Sequence, residues 1–196
     1  NIKDNDNYDH LSYNIILSRV DNPGSDWYGI NSWNTKYKFV SANKIHQRSS
    51  NISYAYGMYG YYSNSSDYTN DTGFISNNEI VLNSGSNCYG MYFPYSKLEI
   101  YHNSIYIQGS GYISGIYVDG NDPMILKNNI FITPSGGYPI RIGNSSLPFH
   151  ADYNNYYGGG NIVGEYNNNA ITTILLWQAA TGQDAHSVSI SSIFTF

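Results

Sequence analysis

The stretch Asn103-Ser104-Ile105-Tyr106-Ile107, followed by Gly115-Ile116-Tyr117-Val118, is one period of a pattern that recurs along the chain. It contains an Asn-x-Ile phrase and then a phrase in which Gly precedes Ile or Met. Successive Asn phrases are separated by 35, 25, 25 and 26 residues, and they begin at Asn43, Asn78, Asn103, Asn128 and, in weaker form, Asn154. A period near 25 residues with strand-like phrases in every period is typical of stacked coils.

Each period contains three short segments that place apolar residues on one face of a strand. Because side chains alternate across a strand, we expect the residue after each Gly to point inward. The Ile of each Asn phrase, and the apolar residue three positions before the Asn, are expected to point inward as well. The three inward columns are Ile30, Met58, Met91, Ile116 and Ile140; Ile45, Ile80, Ile105, Ile130 and Tyr156; and Val40, Ile75, Ile100, Ile125 and Ala151.

The repeated Asn residues stand between two strands. Asn tolerates the left-handed conformation that a sharp corner needs. Its amide can also bond to the Asn one coil above and one coil below, as in other in-register parallel stacks. We interpret these residues as a structural ladder rather than a catalytic set: Asn43, Asn78, Asn103, Asn128 and Asn154.

This pattern resembles the right-handed parallel β-helix family, the fold of pectate lyases and of many repeat-containing surface proteins. The resemblance covers approximately residues 10–160 and implies an all-β solenoid of about six coils. We expect the coils to occupy residues 1–165. Residues 166–196 are then a C-terminal segment with a short helix near 172–181 and a final strand, packed on the last coils.

The chain contains Asp152-Tyr153-Asn154-Asn155-Tyr156-Tyr157 and then Trp177-Gln178-Ala179-Ala180-Thr181-Gly182-Gln183-Asp184. These two stretches together resemble the end of β-helix domains in secreted or surface proteins of Bacteroidetes-type bacteria. In such proteins the helix lies beside the last coils, which implies that Trp177 is a packing residue. The chain also begins in mid-repeat, so we expect it to be a piece of a longer secreted or cell-surface protein.

The composition argues against several classes of protein. Charged residues make up 12% of the chain and the formal net charge is −5 without a basic stripe, so nucleic-acid binding is not expected. No apolar run approaches the ~18 residues of a membrane-spanning helix, so membrane insertion is not expected. A single cysteine, Cys88, allows neither an internal disulfide nor a cysteine-based zinc site.

The outward positions of the Gly phrase form the candidate functional surface. We expect the side chains at these positions to stack from coil to coil. Together with side chains at the next outward position of each strand, the candidate surface comprises Trp33, Tyr59, Tyr61, Tyr92, Tyr117, Asp119 and Arg141. A row of exposed aromatic rings fits a polysaccharide strand, and the resemblance to pectate lyases implies a substrate groove on the corresponding sheet. The alternative is that the tyrosines only stabilise neighbouring strands, because Tyr is a preferred strand residue.

Two further regions of the surface can be predicted. A second outward column is more apolar, and we expect the C-terminal segment or a partner domain to cover it: Val81, Tyr106, Phe131 and Tyr157. Residues 61–71 make one coil longer than its neighbours and are expected to form a protruding loop, where binding surfaces are often found.

The sequence has no catalytic signature, and catalytic residues stay unknown. A glycosidase needs two facing carboxylates. A polysaccharide lyase commonly needs an Arg or Lys base. Asp119 and Arg141 are candidates, although a surface ion contact is the simpler interpretation. Residues 4–9 are rich in oxygen ligands that could hold calcium, but they lack the Gly and Glu of a calcium loop, so we expect no metal and no cofactor.

Three functions fit these observations. The leading hypothesis is a non-catalytic module of a secreted or cell-surface protein that binds polysaccharide or extracellular matrix along the Tyr ladder. The second is a polysaccharide lyase or glycoside hydrolase with an unusual site near Asp119 and Arg141. The third is a structural spacer that stacks on neighbouring domains of a longer parent chain.

Overall fold

The computed structural model shows a right-handed parallel β-helix with one short C-terminal helix. It describes residues 2–3, 9–18, 24–33, 37–48, 52–62, 72–85, 87–144, 146 and 148–191. Six successive coils each contribute one strand to each of three sheets. The predicted fold class and the approximate number of coils are therefore confirmed.

Each coil contains three strands. The first three coils are formed by β1 (Ile2–Lys3), β2 (Asp9–Ser12), β3 (Ile15–Leu17), β4 (Asp26–Trp33), β5 (Tyr37–Ser41), β6 (Lys44–Gln47), β7 (Tyr54–Tyr61), β8 (Gly73–Ser76) and β9 (Glu79–Ser84). The next three are formed by β10 (Asn87–Pro94), β11 (Leu98–Tyr101), β12 (Ser104–Gly109), β13 (Ile113–Asp119), β14 (Met124–Lys127), β15 (Ile130–Thr133), β16 (Tyr138–Ile142), β17 (Phe149–Asp152) and β18 (Asn155–Gly158). The chain then forms β19 (Gly164–Tyr166), β20 (Asn169–Ile171) and α1 (Ile174–Thr181).

The three strands of a coil belong to three different sheets. Sheet A has the order β1-β4-β7-β10-β13-β16-β19-β20. Sheet B has the order β2-β5-β8-β11-β14-β17, and sheet C has the order β3-β6-β9-β12-β15-β18. The strands pair in parallel from coil to coil, and the pairing of β19 with β20 is antiparallel.

A continuous apolar core fills the interior of the solenoid. Ile45, Ile80 and Ile105 have no exposed surface, and the predicted column after the Gly phrase is buried from Ile30 to Ile140. Apolar burial is worth roughly 25 cal/mol per Å². A single coil buries little of its own surface, so each coil depends on its neighbours for stability.

A ladder of buried asparagines runs along the corner between sheets B and C. In each step the backbone N–H and the Nδ2 of one Asn both donate to the Oδ1 of the Asn in the next coil. From Asn78 to Asn103 these distances are 3.0 and 2.9 Å. The Nδ2 of Asn78 also donates to the carbonyl oxygen of Val40 at 2.9 Å. The ladder comprises the half-buried Asn14 and the buried Asn43, Asn78, Asn103, Asn129 and Asn154.

The prediction of Asn128 as a ladder residue is wrong. Asn129 is 1% exposed, and its backbone N–H donates to Asn154 Oδ1 at 2.9 Å, whereas Asn128 is exposed. The left-handed residue of each corner stands immediately before the ladder Asn, at Tyr13, Ala42, Asn77, His102, Asn128 and Tyr153. Asn is therefore needed in the ladder for the hydrogen bonds of its side-chain amide. The left-handed backbone that we expected at the ladder Asn belongs to the residue before it.

This one-residue shift exchanges the two faces of β14 and β15. Leu126 and Phe131 are fully buried in the core, where Ile125 and Ile130 were expected. Because side chains alternate with a period of two, one extra residue decides which face of a strand is buried. Ile132, which is 1% exposed, replaces Phe131 in the predicted outward column, which therefore reads Val81, Tyr106, Ile132 and Tyr157.

Glycines in sheet A allow neighbouring coils to approach closely. A Cβ atom on Gly90 would lie 2.5 Å from the carbonyl oxygen of Gly115 and 2.5 Å from Ile105 Cγ2. A Cβ atom on Gly57 would lie 2.6 Å from the carbonyl oxygen of Gly90. At Gly57 and Gly90 a side chain would overlap the backbone of the next coil, which explains why Gly recurs there.

The helix α1 (Ile174–Thr181) lies within the range 172–181 that the sequence predicts and begins two residues later. The hydroxyl of Thr173, the N-cap, accepts a hydrogen bond from Leu176 N at 3.2 Å, and Gly182 ends the helix with a φ of 67°. Such caps satisfy backbone groups that the ends of a helix leave without partners. Among the described residues, no helix has both the length and the apolar character that crossing a membrane requires.

The chain after α1 packs on the last coil. Trp177 is fully buried, and its Nε1 donates to Asp184 at 2.8 Å. Over the described part of the predicted final strand, the backbone forms a single β-bridge, between Val188 and Asn155. The C-terminal segment thus extends sheet C by one residue pair rather than by a complete strand.

Substitution of Asn129 by Ala is expected to lower the free energy of unfolding by about 2–4 kcal/mol, because the buried N–H and Nδ2 of Asn103 lose their acceptor. The control Asn128→Gly should change it by less than about 0.5 kcal/mol, since Gly adopts a positive φ without strain. Urea unfolding followed by circular dichroism measures both changes. Equal losses in the two variants would contradict the ladder described above.

Substitution of Gly90 by Ala is expected to cost at least about 2 kcal/mol, because the new Cβ overlaps the backbone of the next coil. In the control Gly160→Ala the new Cβ atom has no neighbour within 4 Å. This variant should lose only the ~1 kcal/mol that a side chain costs at a residue with a positive φ. Thermal unfolding midpoints compare the two variants. A smaller loss for Gly90→Ala than for Gly160→Ala would argue against close approach at the Gly phrase.

Candidate functional site

The outer surface of sheet A carries six tyrosines in two columns, which we call the tyrosine face. One column follows the Gly phrase and contains Tyr59, Tyr92 and Tyr117, with Arg141 next in register. The other column precedes the Gly phrase and contains Tyr28, Tyr56 and Tyr89. Both columns run along the solenoid axis with one residue per coil.

Alternation along the strand does not predict the column before the Gly phrase. Counting back from the buried Met58 would direct Tyr56 into the core. In the structure Ala55 and Met58 are buried, and Tyr56 is only half-buried because Gly57 also faces the interior. The strand therefore has two consecutive inward residues, and it keeps its register with the neighbouring coils. The signal in the sequence is the recurring Tyr-Gly pair, at Tyr28-Gly29, Tyr56-Gly57 and Tyr89-Gly90.

The six rings of the tyrosine face form one layer. Tyr56 stacks between Tyr28 and Tyr89, with ring centroids 4.8 and 5.1 Å apart and interplanar angles of 4° and 8°. Tyr59 stacks on Tyr92 at 5.3 Å and meets the ring of Tyr56 edge-on at 5.3 Å. Such pairs are worth about 0.5–1.5 kcal/mol each beyond the area that they bury. The layer thus stabilises the coils whether or not it binds a ligand.

Trp33 and Tyr61 lie at the margin of the tyrosine face. Their rings stack with centroids 4.6 Å apart, and Trp33 is 46% exposed. Tyr61 also contacts the ring of Tyr62 at 4.6 Å and the ring of Tyr95 at 5.9 Å. The margin therefore exposes more ring surface than the centre of the columns does.

Arg141 is paired with Glu165, a residue that the sequence pattern does not single out. Its Nη2 donates to Glu165 Oε1 at 2.6 Å, and its Nε donates to the same oxygen at 3.0 Å. The guanidinium carbon lies 4.5 Å from the ring centroid of Tyr112 and 4.7 Å from that of Tyr117. Ion pairing and cation–π contact together hold this side chain in place.

Asp119 is engaged in other contacts, so the suggested ion pair between Asp119 and Arg141 is not formed. One carboxylate oxygen of Asp119 accepts the N–H of Gly120 at 2.8 Å. The other accepts the hydroxyl of Tyr117 at 3.4 Å. Tyr117 therefore lies between the two residues and contacts both of them.

Burial raises the pKa of phenols in the tyrosine face, so they keep their protons to a higher pH than an exposed tyrosine does. Loss of solvent raises the pKa of Tyr59 to about 12, with a smaller contribution from Tyr92. It also raises the pKa of Tyr117 to about 12, with a smaller contribution from Asp119. Burial also raises the pKa of Tyr56 and Tyr89. At neutral pH each of these hydroxyls can both donate and accept a hydrogen bond.

Other candidate chemistry can be placed only in part. Among the residues that the structure describes, no group of three His, Cys, Asp or Glu side chains could hold a metal ion. The suggested calcium ligands at residues 4–8, and residues 63–71 of the expected loop, lie outside the described residues. Burial raises the pKa of the Cys88 thiol to about 11, so its reactive thiolate is scarce.

Comparison of the chain with protein-family models, with curated proteins and with solved structures found no match. The fold is a β-helix by its own strand pairing. The chemistry of the tyrosine face is therefore argued from its residues alone, and the binding roles of the predicted site residues stay predictions.

The protein is expected to lose stability as the pH rises from about 10 to about 12, because a tyrosine in an unfolded chain has a pKa of about 10. Tyr59 and Tyr117 keep their protons to about pH 12 in the folded state. Their contribution is complete below the unfolded pKa and is lost as the pH rises through the folded pKa. Urea midpoints measured across this range test the effect. A double Tyr59→Phe, Tyr117→Phe variant should show a weaker pH dependence, and an unchanged dependence would contradict the assignment.

Proposed function

We propose that this chain is a non-catalytic β-helix module of a secreted or cell-surface protein, and that it binds a neutral polysaccharide or matrix glycan along the tyrosine face. The observation that carries the proposal is the continuous layer of uncharged, half-exposed tyrosines on one sheet. Aromatic carbons offer an apolar surface to sugar C–H groups, and the hydroxyls offer hydrogen bonds. The extracellular location rests on the resemblance to secreted β-helix proteins.

The stacking within the tyrosine face determines how a sugar would contact it. Tyr56 has a ring on both sides, so its edge and hydroxyl, rather than its ring faces, are left for a ligand. At the margin, Trp33 offers a more exposed ring. We therefore expect hydrogen bonds to hydroxyls along the columns and ring stacking at the margin.

The charges around the tyrosine face favour a neutral ligand. The guanidinium of Arg141 is paired with Glu165, and both side chains are nearly buried. Asp26 lies near Tyr28 and Asp119 lies beside Tyr117, and both add negative charge. A uronate or sulfated chain would be repelled by these carboxylates, and the paired Arg141 offers it little compensation.

The contacts of Arg141 argue against a lyase, whereas the stacking of the tyrosines fits a spacer as well as a binding module. A lyase would need an Arg or Lys free to take a proton, and Arg141 is engaged by Glu165 and by the surrounding rings. A spacer would use the tyrosines only for stability, and the observed stacking is compatible with that role. A binding experiment that preserves the rings separates the spacer from the glycan-binding module.

The test is affinity electrophoresis in gels that contain neutral or uronate-rich polysaccharides. A triple variant, Tyr59→Phe, Tyr92→Phe and Tyr117→Phe, removes three hydroxyls and keeps the stacked rings. We expect it to bind at least about tenfold more weakly, because three hydrogen bonds are lost at about 0.5–1.5 kcal/mol each. Tyr13→Phe is the control, since Tyr13 lies at the corner between sheets B and C and is 84% exposed.

Three outcomes would contradict the proposal. The wild-type protein could migrate unchanged in every polysaccharide, or the triple variant could be retarded as strongly as the wild type. Release of reducing ends or of unsaturated sugars from a polysaccharide would instead support the lyase or hydrolase.

A further inference from the structure

The two ends of the asparagine ladder differ, and the C-terminal end is closed. Asn154, the last member, donates its backbone N–H to Ser187 Oγ at 2.8 Å and its Nδ2 to Asp184 Oδ1 at 3.2 Å. These oxygens replace the Oδ1 of a following Asn. Val188 also pairs with the last coil, since its N–H donates to Asn154 O at 2.8 Å and its carbonyl oxygen accepts from Tyr156 N at 2.9 Å. The chain after α1 therefore acts as a cap.

The N-terminal end of the ladder has no equivalent cap among the described residues. Asn14 donates its N–H and its Nδ2 to Asn43 Oδ1, both at 3.0 Å. Within the described part of the chain no donor reaches Asn14 Oδ1, although the Oδ1 of every later ladder Asn accepts two hydrogen bonds from the preceding one. This oxygen faces the position that an earlier coil would occupy.

Backbone N–H groups of β3 also point towards the open N-terminal end of the solenoid. Ile15 stands in register with Lys44, whose N–H donates to Asn14 O of the preceding coil at 2.8 Å. By the same pattern the N–H of Ile15 points towards the open end, and so does that of Leu17, two residues later. Such an edge is a ready template for another strand.

The apolar interior also reaches the surface at this end. A cleft of about 280 Å³ is lined by Leu11, Asn14, Ile15, Ile16, Gly29, Ile30 and Asn31. Leu11 and Ile16 pack against the core but are only partly buried. In later coils the corresponding residues, Val40 and Ile45, are 3% and 0% exposed because another coil covers them.

We propose that the N-terminal end of the solenoid, at Asn14, Ile15 and Ile16, binds one further β-coil of the Asn-x-Ile type from a neighbouring domain. Its strands would pair in parallel with β2 and β3, its Asn would donate to Asn14 Oδ1, and its Ile would cover Ile16. This continues the contact that already joins each pair of coils. It is a form of β-strand addition.

The geometry argues against a second folded copy of this chain as the partner. In each copy the Asn14 donors are already bonded to Asn43, and the other end of the ladder is covered by Ser187 and Asp184. A folded copy therefore offers no ladder Asn whose N–H and Nδ2 could reach Asn14 Oδ1. The proposal is independent of glycan binding by the tyrosine face.

The experiment uses a fluorescent peptide with the sequence of residues 98–109, which contains two consecutive strands and the ladder residue Asn103. Fluorescence anisotropy measures its binding to the full chain. A second peptide carries Ala in place of Asn103 and should bind about tenfold more weakly, because a donor to Asn14 Oδ1 is missing. This comparison leaves the protein unaltered.

Variants of the protein locate the site. Asn14→Ala should weaken binding of the Asn peptide about tenfold and abolish the difference between the two peptides. Leu176→Ala, on an exposed face of α1 at the opposite end, should leave binding unchanged. In hydrogen exchange, the peptide should slow exchange of the Ile15 and Leu17 amides.

Several results would overturn the proposal. These are no binding at peptide concentrations up to ~1 mM, equal binding of the two peptides, or unchanged exchange at Ile15 and Leu17. A loss of binding in Leu176→Ala would show that the peptide attaches elsewhere. Concentration-dependent self-association of the chain alone, abolished by Asn14→Ala, would favour a second copy and would also refute the proposed partner.

Discussion

The structure depends on the requirement that a buried amide satisfies its hydrogen bonds. Each ladder Asn places its Oδ1 where the N–H and Nδ2 of the preceding coil can both reach it, and its own Nδ2 reaches back to a carbonyl oxygen. An unsatisfied donor or acceptor in this interior would cost about 1–3 kcal/mol. The ladder therefore holds successive coils in one register. The same register aligns the tyrosine columns of sheet A, on which the proposed function rests.

The Gly phrase shapes the outer surface as strongly as the ladder shapes the interior. With no Cβ at Gly57 and Gly90, the backbones of adjacent coils approach closely and the strand gains an additional inward residue. The tyrosines before these glycines, Tyr56 and Tyr89, consequently point outward. They lie beside Tyr59 and Tyr92, which stand two residues after the same glycines. A constraint of packing thus produces the double column on which the proposed function rests.

Stability and binding make different demands on the tyrosine face. Rings that stack on one another contribute to the cohesion of the coils, but they leave edges and hydroxyls for a ligand. These hydroxyls are neutral at physiological pH, and the Arg141–Glu165 pair leaves little positive charge beside them. Such a surface suits contact through many weak polar interactions with an extended neutral chain. The end of the solenoid offers the opposite kind of surface, with directed backbone groups and an open apolar interior.

The sequence by itself determined the β-helix, the approximate number of coils, most residues of the inward columns, the Tyr59–Tyr92–Tyr117 alignment and the C-terminal helix. A strict repeat determines these because every coil must satisfy the same contacts. Only the tertiary structure placed Asn129 rather than Asn128 in the ladder, because Asn128 is the residue that fits the Asn-x-Ile phrase and the choice depends on which neighbouring side chains fill the core. Only the tertiary structure showed that Tyr56 belongs to an outward column and that Glu165 is the partner of Arg141. In the first case Gly57 faces inward beside Met58 and breaks alternation, and in the second Glu165 comes from the less regular chain that follows the last coil.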